Sequence, residues 1–120
     1  MFPNDRRYTK EHEWVKLAEG AVTVGITDFA QKERGDIVYV ELPEIGRAVS
    51  SGEVLGTIES VKAVSELYAP VSGPITEVNT LLSDKPETVN SDAQGAGWIC
   101  KLKLANASEL DGLMDAAAYT

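Results

Sequence analysis

Short runs in which apolar and polar residues alternate dominate this chain, and turn-forming residues separate one run from the next. Such alternation predicts β-strands, because successive side chains of a strand point to opposite faces of a sheet. The strands do not alternate with long helices, so a parallel α/β sheet is not expected. A mainly β fold is expected instead, a flattened barrel or sandwich of antiparallel sheets. The predicted strands cover residues 14–17, 21–26, 37–43, 54–58, 65–71, 75–79 and 98–104.

Two segments have the pattern of helices. Thr27 or Asp28 can cap a short internal helix that ends near Gly35, since glycine is favoured just past a helix end. A C-terminal helix is predicted over residues 106–119, with Ser108 as its N-cap. The remaining segments are predicted as an irregular start at residues 1–7, turns at 19–20, 44–49, 51–52 and 72–74, and a long loop at 80–97.

Lys62 lies between the predicted strands 54–58 and 65–71, which are close enough in sequence to form a hairpin. It would then stand at or near the hairpin tip, with Val61 and Ala63 beside it. A side chain at such a tip reaches away from its own domain, a placement that suits a tether. A lone lysine in a turn is more often a solvated charge, so the pattern alone leaves both interpretations open.

The composition is that of a soluble globular protein, with 43% hydrophobic and 25% charged residues over 120 positions. No boundary divides the chain, so residues 1–120 are expected to form one domain. The formal net charge of −8 disfavours nucleic acid as a partner, because phosphates would be repelled. No apolar run is long enough for a membrane span, and the start lacks the apolar core of a signal peptide. A monomer in a bacterial cytoplasm is expected, although a mature mitochondrial form without its leader fits the same pattern.

The chain contains one cysteine and one histidine, which limits the chemistry it can carry by itself. Cys100 alternates with Lys101 and Lys103 in the last predicted strand and is expected to be a small buried residue. His12 has no plausible catalytic partner and is expected to be a surface or packed side chain. The sequence shows neither a metal-ligand spacing nor a phosphate-binding glycine loop, so no catalytic or metal site is predicted.

Several motifs resemble those of a known family. The segment around Lys62 is similar to the attachment segment of lipoyl-bearing domains, and in detail it resembles the H protein of the glycine cleavage system. Lipoyl domains of 2-oxoacid dehydrogenase complexes resemble it mainly around the lysine, and biotin carriers usually place methionines beside theirs. Arg34 departs from the H-protein pattern, in which an apolar residue is common. The matching motifs, in chain order, are YTKEHEWV, VGITDFAQ, GDIVYVELPEIG, ESVKAVSELYAPVSG, EVN and GWICKLK.

The resemblance implies a sandwich-like barrel in which Lys62 stands on an exposed hairpin and carries lipoate in amide linkage. It also implies that Glu59 and Ser60 help lipoate-attaching enzymes to recognise the tip. Glu13 and Glu66 match positions near the bound arm, where a carboxylate would hold a protonated aminomethyl group. For both of these acids, an ordinary solvated surface role is the alternative.

The function implied by the resemblance is that of a carrier without its own active site, since the dithiolane of lipoate holds the chemistry. The arm would receive an aminomethyl group at glycine decarboxylase, deliver it at aminomethyltransferase and be reoxidised by dihydrolipoamide dehydrogenase. Lipoate-attaching enzymes complete the expected partners. Three alternatives remain open: a carrier that relays lipoate or serves another pathway, a lipoyl domain of a 2-oxoacid dehydrogenase complex, and a binding module with an unmodified lysine.

Overall fold

The computed structural model of the chain describes residues 6–18, 20–105 and 107–119. Within them the strands pair in antiparallel fashion in two sheets, with orders β1-β2-β3-β9-β8-β5 and β4-β6-β7. The predicted fold class is confirmed, as a sandwich of two antiparallel sheets that is not closed into a true barrel. The strands are β1 (Arg7–Tyr8), β2 (Glu13–Ala18), β3 (Ala21–Ile26), β4 (Ile37–Glu41), β5 (Ala48–Val49), β6 (Val54–Ser60), β7 (Val64–Tyr68), β8 (Gly73–Val78) and β9 (Cys100–Lys103).

The hydrophobic core lies between the two sheets, because each sheet turns apolar side chains of its strands inward. Val24 and Ile75 come from the six-stranded sheet, and Val40, Ile58 and Leu67 come from the three-stranded sheet. All five are at most 3% exposed and belong to one continuous cluster. Burial of this shared apolar surface holds the sheets face to face.

Short helices connect the strands. The prediction for the internal helix is confirmed, since the Thr27 hydroxyl caps it by accepting a hydrogen bond from the Ala30 N–H. Gly35 follows the helix with a φ of 79° and a ψ of −159°, a conformation that glycine adopts at little steric cost. The helices are α1 (Asp28–Arg34), α2 (Leu81–Asp84), α3 (Thr88–Ser91), a 3-10 helix (Ala107–Gly112) and α4 (Ala116–Tyr119).

The prediction of one continuous helix over residues 106–119 is wrong. The chain forms the 3-10 helix, then an extended bridge at Met114, and then the single turn of α4. Met114 exchanges two backbone hydrogen bonds with Tyr8, of 2.7 and 2.9 Å, which a residue inside a continuous helix could not offer. Pairing with the edge strand β1 therefore outweighs local helical propensity, which Gly112 already weakens. Asn106, where the helix was expected to begin, lies outside the described residues.

Other local predictions also need correction. Gly73 and Pro74 belong to β8 rather than to a turn, and they pair with β5. A Cβ at Gly73 would overlap a backbone carbonyl oxygen of β9. The close approach of β9 therefore requires glycine at this position. The loop predicted over residues 80–97 contains α2 and α3, which bury Leu82 and Val89.

In the described ranges, no helix has the length and apolar character needed to cross a membrane. Most of the irregular start expected at residues 1–7, and Glu19 of the expected turn, lie outside those ranges.

Candidate functional site

The hairpin of β6 and β7 presents Lys62 at its tip. Val61, Lys62 and Ala63 connect the two strands, and all of them are exposed. The Ser60 N–H donates to the Ala63 carbonyl at 2.8 Å, and the Val61 N–H donates to the Asp36 carbonyl at 3.0 Å. Lys62 therefore stands at the predicted place, on a turn whose backbone is fixed from both sides.

The hydroxyl of Ser60 shapes this turn from inside. It accepts hydrogen bonds from the N–H groups of Lys62 and Ala63, and it donates to the Ala63 carbonyl, each at 3.2 Å. These three bonds use the full hydrogen-bonding capacity of a hydroxyl. Ser60 is only 9% exposed, whereas Glu59 is exposed and lies opposite Val64 in the hairpin register. Recognition by an attaching enzyme stays a prediction for Glu59 and Ser60, and Ser60 has a structural role besides.

The side chain of Lys62 lies over the end of α1. A Cβ at Gly35 would lie 3.4 Å from Cε and 3.8 Å from Cδ of Lys62, so the missing side chain leaves room for the lysine stem. Asn90 of α3 fixes this helix end. Its side-chain amide donates to the Gly35 carbonyl at 2.9 Å, and its oxygen accepts from the Ile37 N–H at 2.8 Å. The end of α1 is therefore held in place beneath the lysine.

Glu13, at the start of β2, is buried rather than solvated. It is 2% exposed, and its two carboxylate oxygens accept from the Tyr68 N–H at 2.9 Å and from the Thr9 hydroxyl at 3.2 Å. Burial raises the pKa of Glu13 from an ordinary 4.5 to about 7, and the two hydrogen bonds oppose this rise. The carboxyl group of Glu13 therefore titrates near neutral pH. The solvated surface role considered for Glu13 is wrong, and its contact with a bound arm stays a prediction.

Glu66 has different surroundings, on the outer side of β7. It is exposed, and its carboxylate accepts a hydrogen bond of 3.4 Å from the Tyr68 hydroxyl. Tyr68 therefore bonds both acids, Glu13 through its backbone and Glu66 through its side chain. Sequence analysis missed Tyr68, since a backbone donor leaves no signal in a side-chain pattern. Tyr68, the last residue of β7, therefore contacts both acids predicted to lie near the arm, one buried and one exposed.

Arg34, the departure from the H-protein pattern, interacts with Glu13 through charge. Its Nη1 atom is buried and has no hydrogen-bond partner within the part of the chain that the structure describes. Burial lowers the pKa of Arg34, and the Glu13 carboxylate raises it. In return, the guanidinium favours the ionised form of Glu13. A cation therefore stands near the buried acid at a position where an apolar residue was expected.

A cleft of about 260 Å³ lies beside Glu13. Thr9 and Tyr68, which bond to the Glu13 carboxylate, both line the cleft, so the carboxylate lies directly behind its wall. Tyr68 ends β7 roughly 13 Å from Val64, since a strand rises about 3.3 Å per residue. The cleft is thus at the end of β7 that is remote from Lys62. Its lining comes from residues 8–11, 51–52, 68–70 and 112–114.

The histidine and the cysteine are packed, as expected. His12 Nδ1 lies 2.6 Å from the Tyr119 hydroxyl oxygen, and the ring centroids of His12 and Phe29 are 4.7 Å apart. Cys100 is fully buried in β9, and burial raises the pKa of its thiol to about 12. The reactive thiolate is therefore rare at neutral pH. Sequence analysis also missed Tyr119, because it meets His12 across 107 positions.

Comparison with known proteins assigns these features to a family. The family model described as glycine cleavage H-protein matches residues 6–120. The chain belongs to the glycine cleavage H-protein family. A glycine cleavage system H protein from Chlorobium phaeovibrioides is 59% identical over 120 residues, which cover 98% of this chain and 94% of the relative. One from Anaeromyxobacter sp. (strain K) is 55% identical over 117 residues, which cover 98% and 91%.

A solved member of the glycine cleavage H-protein family has the same fold. The crystal structure of an H protein from Mycobacterium marinum has a TM-score of 0.91 and 44% identity, and the match covers 98% of this chain and 95% of that chain. The resemblance predicted from the sequence motifs is therefore confirmed. Membership in the H-protein family favours an H protein over a lipoyl domain of a 2-oxoacid dehydrogenase complex.

Proposed function

We propose that this chain is the lipoyl carrier of a glycine cleavage system, with lipoate in amide linkage on Lys62. The observation that carries the proposal is the position of Lys62, at the centre of an exposed hairpin turn in a member of the H-protein family. An acyl group on this amine would extend into solvent without displacing a core residue. A tether needs this placement, and a core lysine could not provide it.

The residues around Lys62 fit such a group. The lysine stem lies along Gly35, where no side chain obstructs it, and Ser60 holds the turn. Acylation removes the charge of the amine, and no ion pair joins Lys62 to another residue that the structure describes. Once attached, lipoate supplies a dithiolane that takes up and releases the aminomethyl group and carries electrons. The chain supplies the position and the surroundings of that group.

The exposed tip suits visits to several active sites. The proposed partners are glycine decarboxylase, aminomethyltransferase and dihydrolipoamide dehydrogenase, with lipoate-attaching enzymes recognising Glu59 and Ser60. A long single-bonded arm gives its end a high effective concentration at each docked partner. The chain then needs no catalytic residue of its own. A monomeric single domain over residues 1–120, in a bacterial cytoplasm, is sufficient for this role.

The cleft beside Glu13 offers shelter for the aminomethyl cargo between these visits. The amine of the cargo is positive when protonated, and water decomposes the cargo, so a cleft with a carboxylate behind its wall protects it. An arm that folds back along β7 brings the amine to the wall where Thr9 and Tyr68 hold Glu13. An ammonium group there favours the ionised form and so lowers the pKa of Glu13. Glu66, which accepts from the Tyr68 hydroxyl, adds negative charge near this wall.

Lipoylation of the full chain tests the attachment site. Purified protein is incubated with lipoate ligase, lipoate and ATP, and its intact mass is measured together with the mass of the peptide containing Lys62. A single lipoyl increment on Lys62 is expected, and Lys62→Arg should receive none. Lys32→Arg, which changes an exposed lysine on α1, is the matched control and should be modified fully. Wild-type protein without an increment would overturn the proposal and leave a β-rich binding module.

A second measurement tests the pathway. Lipoylated protein is incubated with glycine decarboxylase, with and without glycine, and the mass of the arm is followed. A glycine-dependent aminomethyl increment is expected. Lipoylated protein that is never loaded but passes lipoate to another protein would instead assign the chain to lipoate relay.

A further inference from the structure

Residues 109–119, here called the C-terminal strap, cross one side of the cleft and are fastened at both ends. At the first end, the Glu109 carboxylate accepts hydrogen bonds from the N–H and the hydroxyl of Ser72, both at 2.8 Å. The Ser72 hydroxyl also accepts from the Ser51 N–H at 2.9 Å, and Ser51 lines the cleft. This end of the strap is therefore tied to a wall of the cleft.

At the second end, Tyr119 is held through its ring and its hydroxyl. The ring stacks on Tyr8, with centroids 4.8 Å apart and planes inclined by 14°. The hydroxyl oxygen lies 2.6 Å from His12 Nδ1 and 2.9 Å from Thr27 Oγ1. The single turn of α4 is too short to be stable alone, so these contacts hold it in place.

Between the two fastenings, residues 112–114 form part of the cleft lining. The backbone of Met114 pairs with that of Tyr8, which extends the edge of the six-stranded sheet into the strap. Tyr8 is fully buried beneath this contact. The position of this wall therefore depends on how firmly the strap is held against β1.

Residues 9–11 form another wall of the cleft, and His12 joins them to Glu13. The Thr9 N–H donates to the Glu13 carbonyl at 2.9 Å, and the His12 N–H donates to the Thr9 carbonyl at 3.1 Å. His12 has a φ of 67°, in the left-handed region that is costly for residues other than glycine. The Tyr119 hydroxyl thus contacts the strained residue that precedes Glu13, and it links the strap to the loop whose residues 9–11 line the cleft.

We propose that Tyr119 is a positioning residue for the cleft. Its hydroxyl fastens the C-terminal strap to the loop that presents Glu13, and this fastening keeps water from the cargo. This inference rests on the proposed carrier function, which supplies the aminomethyl cargo. Tyr119 is not among the described residues that line the cleft, so it acts through His12 and Thr27 rather than on the cargo.

The fastening is tested first in the unlipoylated full chain, where no carrier activity is required. Tyr119→Phe keeps the stacked ring and removes only the hydroxyl. His12 is the only histidine, so its ring nitrogen resonances are assigned without ambiguity, and they are expected to shift. The amides of Tyr8 and Met114 should exchange hydrogen roughly three- to tenfold faster, the range that loss of one net hydrogen bond supports. Tyr39→Phe, at a half-exposed tyrosine outside the cleft, is the matched control.

The consequence for the cargo is tested in lipoylated, aminomethyl-loaded protein. Water replaces sulfur at the aminomethyl carbon, which releases formaldehyde and ammonia and leaves the free thiol. Tyr119→Phe should release them roughly three- to tenfold faster than wild type, with unchanged reoxidation of the unloaded arm by dihydrolipoamide dehydrogenase. Glu109→Gln loosens the other end and should accelerate release without shifting the His12 resonances. Wild-type release rates in Tyr119→Phe would overturn the inference.

The two proposals fail in different ways. If wild-type protein is lipoylated but never loaded, the carrier function fails. Hydrogen exchange and the His12 resonances still decide whether Tyr119 fastens the strap, and unchanged values in Tyr119→Phe would refute that fastening.

Discussion

The tip of the β6–β7 hairpin is held mainly by residues next to it in sequence, whereas the cleft beside Glu13 is held by residues far apart. At the tip, the Ser60 hydroxyl accepts from the N–H groups two and three positions ahead. At the cleft, Glu13 bonds to Tyr68 across 55 positions, and His12 meets Tyr119 across 107. Attachment of the arm is therefore a local property of the chain, and shelter for its cargo is a property of the completed fold.

This difference predicts how substitutions divide between function and stability. Changes on the exposed tip should alter modification while leaving the fold intact, because few core contacts depend on them. Changes behind the cleft should alter the free energy of unfolding as well, because they disturb buried polar groups.

Lys62→Arg separates function from stability most sharply. Arginine keeps the positive charge but lacks the amine that forms the amide, so lipoylation and cargo loading should be lost completely. The free energy of unfolding should change by less than about 0.5 kcal/mol, because Lys62 is exposed. Mass spectrometry and urea denaturation measure the two quantities. A large loss of stability would contradict the local character of the tip.

Glu13→Gln should change the pH dependence of stability. The folded protein holds the Glu13 proton more tightly than the unfolded chain, so it binds more protons between pH 4.5 and 7. The free energy of unfolding of wild type therefore falls as the pH rises through this window, and glutamine removes that fall. As the pH rises from 4.5 to 7, the free energy of unfolding of Glu13→Gln should increase relative to that of wild type by at most about 3 kcal/mol. Denaturation at a series of pH values measures the difference.

Glu66→Gln, which changes an exposed carboxylate, is the control for this prediction. Its free energy of unfolding should follow that of wild type at each pH. If the free energy of unfolding of Glu13→Gln changed with pH in parallel with that of wild type, burial would not hold the proton of Glu13. In loaded protein, an unchanged cargo lifetime and transfer rate in Glu13→Gln would refute its proposed contact with the aminomethyl group.

Ser60→Ala should produce an intermediate effect at the tip. It removes the hydroxyl that accepts two hydrogen bonds and donates one in the turn, so the variant should lose roughly 1–2 kcal/mol of stability. The lipoylation rate should fall as well, because the turn no longer fixes Lys62. Ser65→Ala, in the next strand, is the matched control. Equal lipoylation rates in both variants would argue against a positioning role for Ser60.

Gly35→Ala should give the smallest effect on lipoylation. The φ of 79° and ψ of −159° at Gly35 cost alanine about 1–3 kcal/mol, and the new Cβ would touch the Lys62 stem. Gly20 also has a φ of 79°, with open space around an added Cβ, so Gly20→Ala is the control for replacing a positive-φ glycine away from Lys62. Both variants should lose stability, but only Gly35→Ala should slow lipoylation. Equal lipoylation rates would show that the stem does not need this space.

Local patterns predicted much of the fold and part of the site. The alternation of apolar and polar residues located the main strands, and the Thr27 cap and Gly35 located α1, because these signals depend on near neighbours. The two-residue strands β1 and β5 are too short to show a period. The C-terminal helix was predicted wrongly because its local propensity gave no sign that Met114 pairs with Tyr8.

By itself, the sequence determined the antiparallel β class, the hairpin and the place of Lys62 at its tip. Each of these follows from side-chain period and turn chemistry over a few residues. Only the tertiary structure decided that Glu13 is buried, that Tyr68 and Thr9 bond to it and that the Tyr119 hydroxyl lies against His12. These contacts form when distant segments are brought together at a cost in loop entropy, and packing of the whole core supplies the compensating free energy.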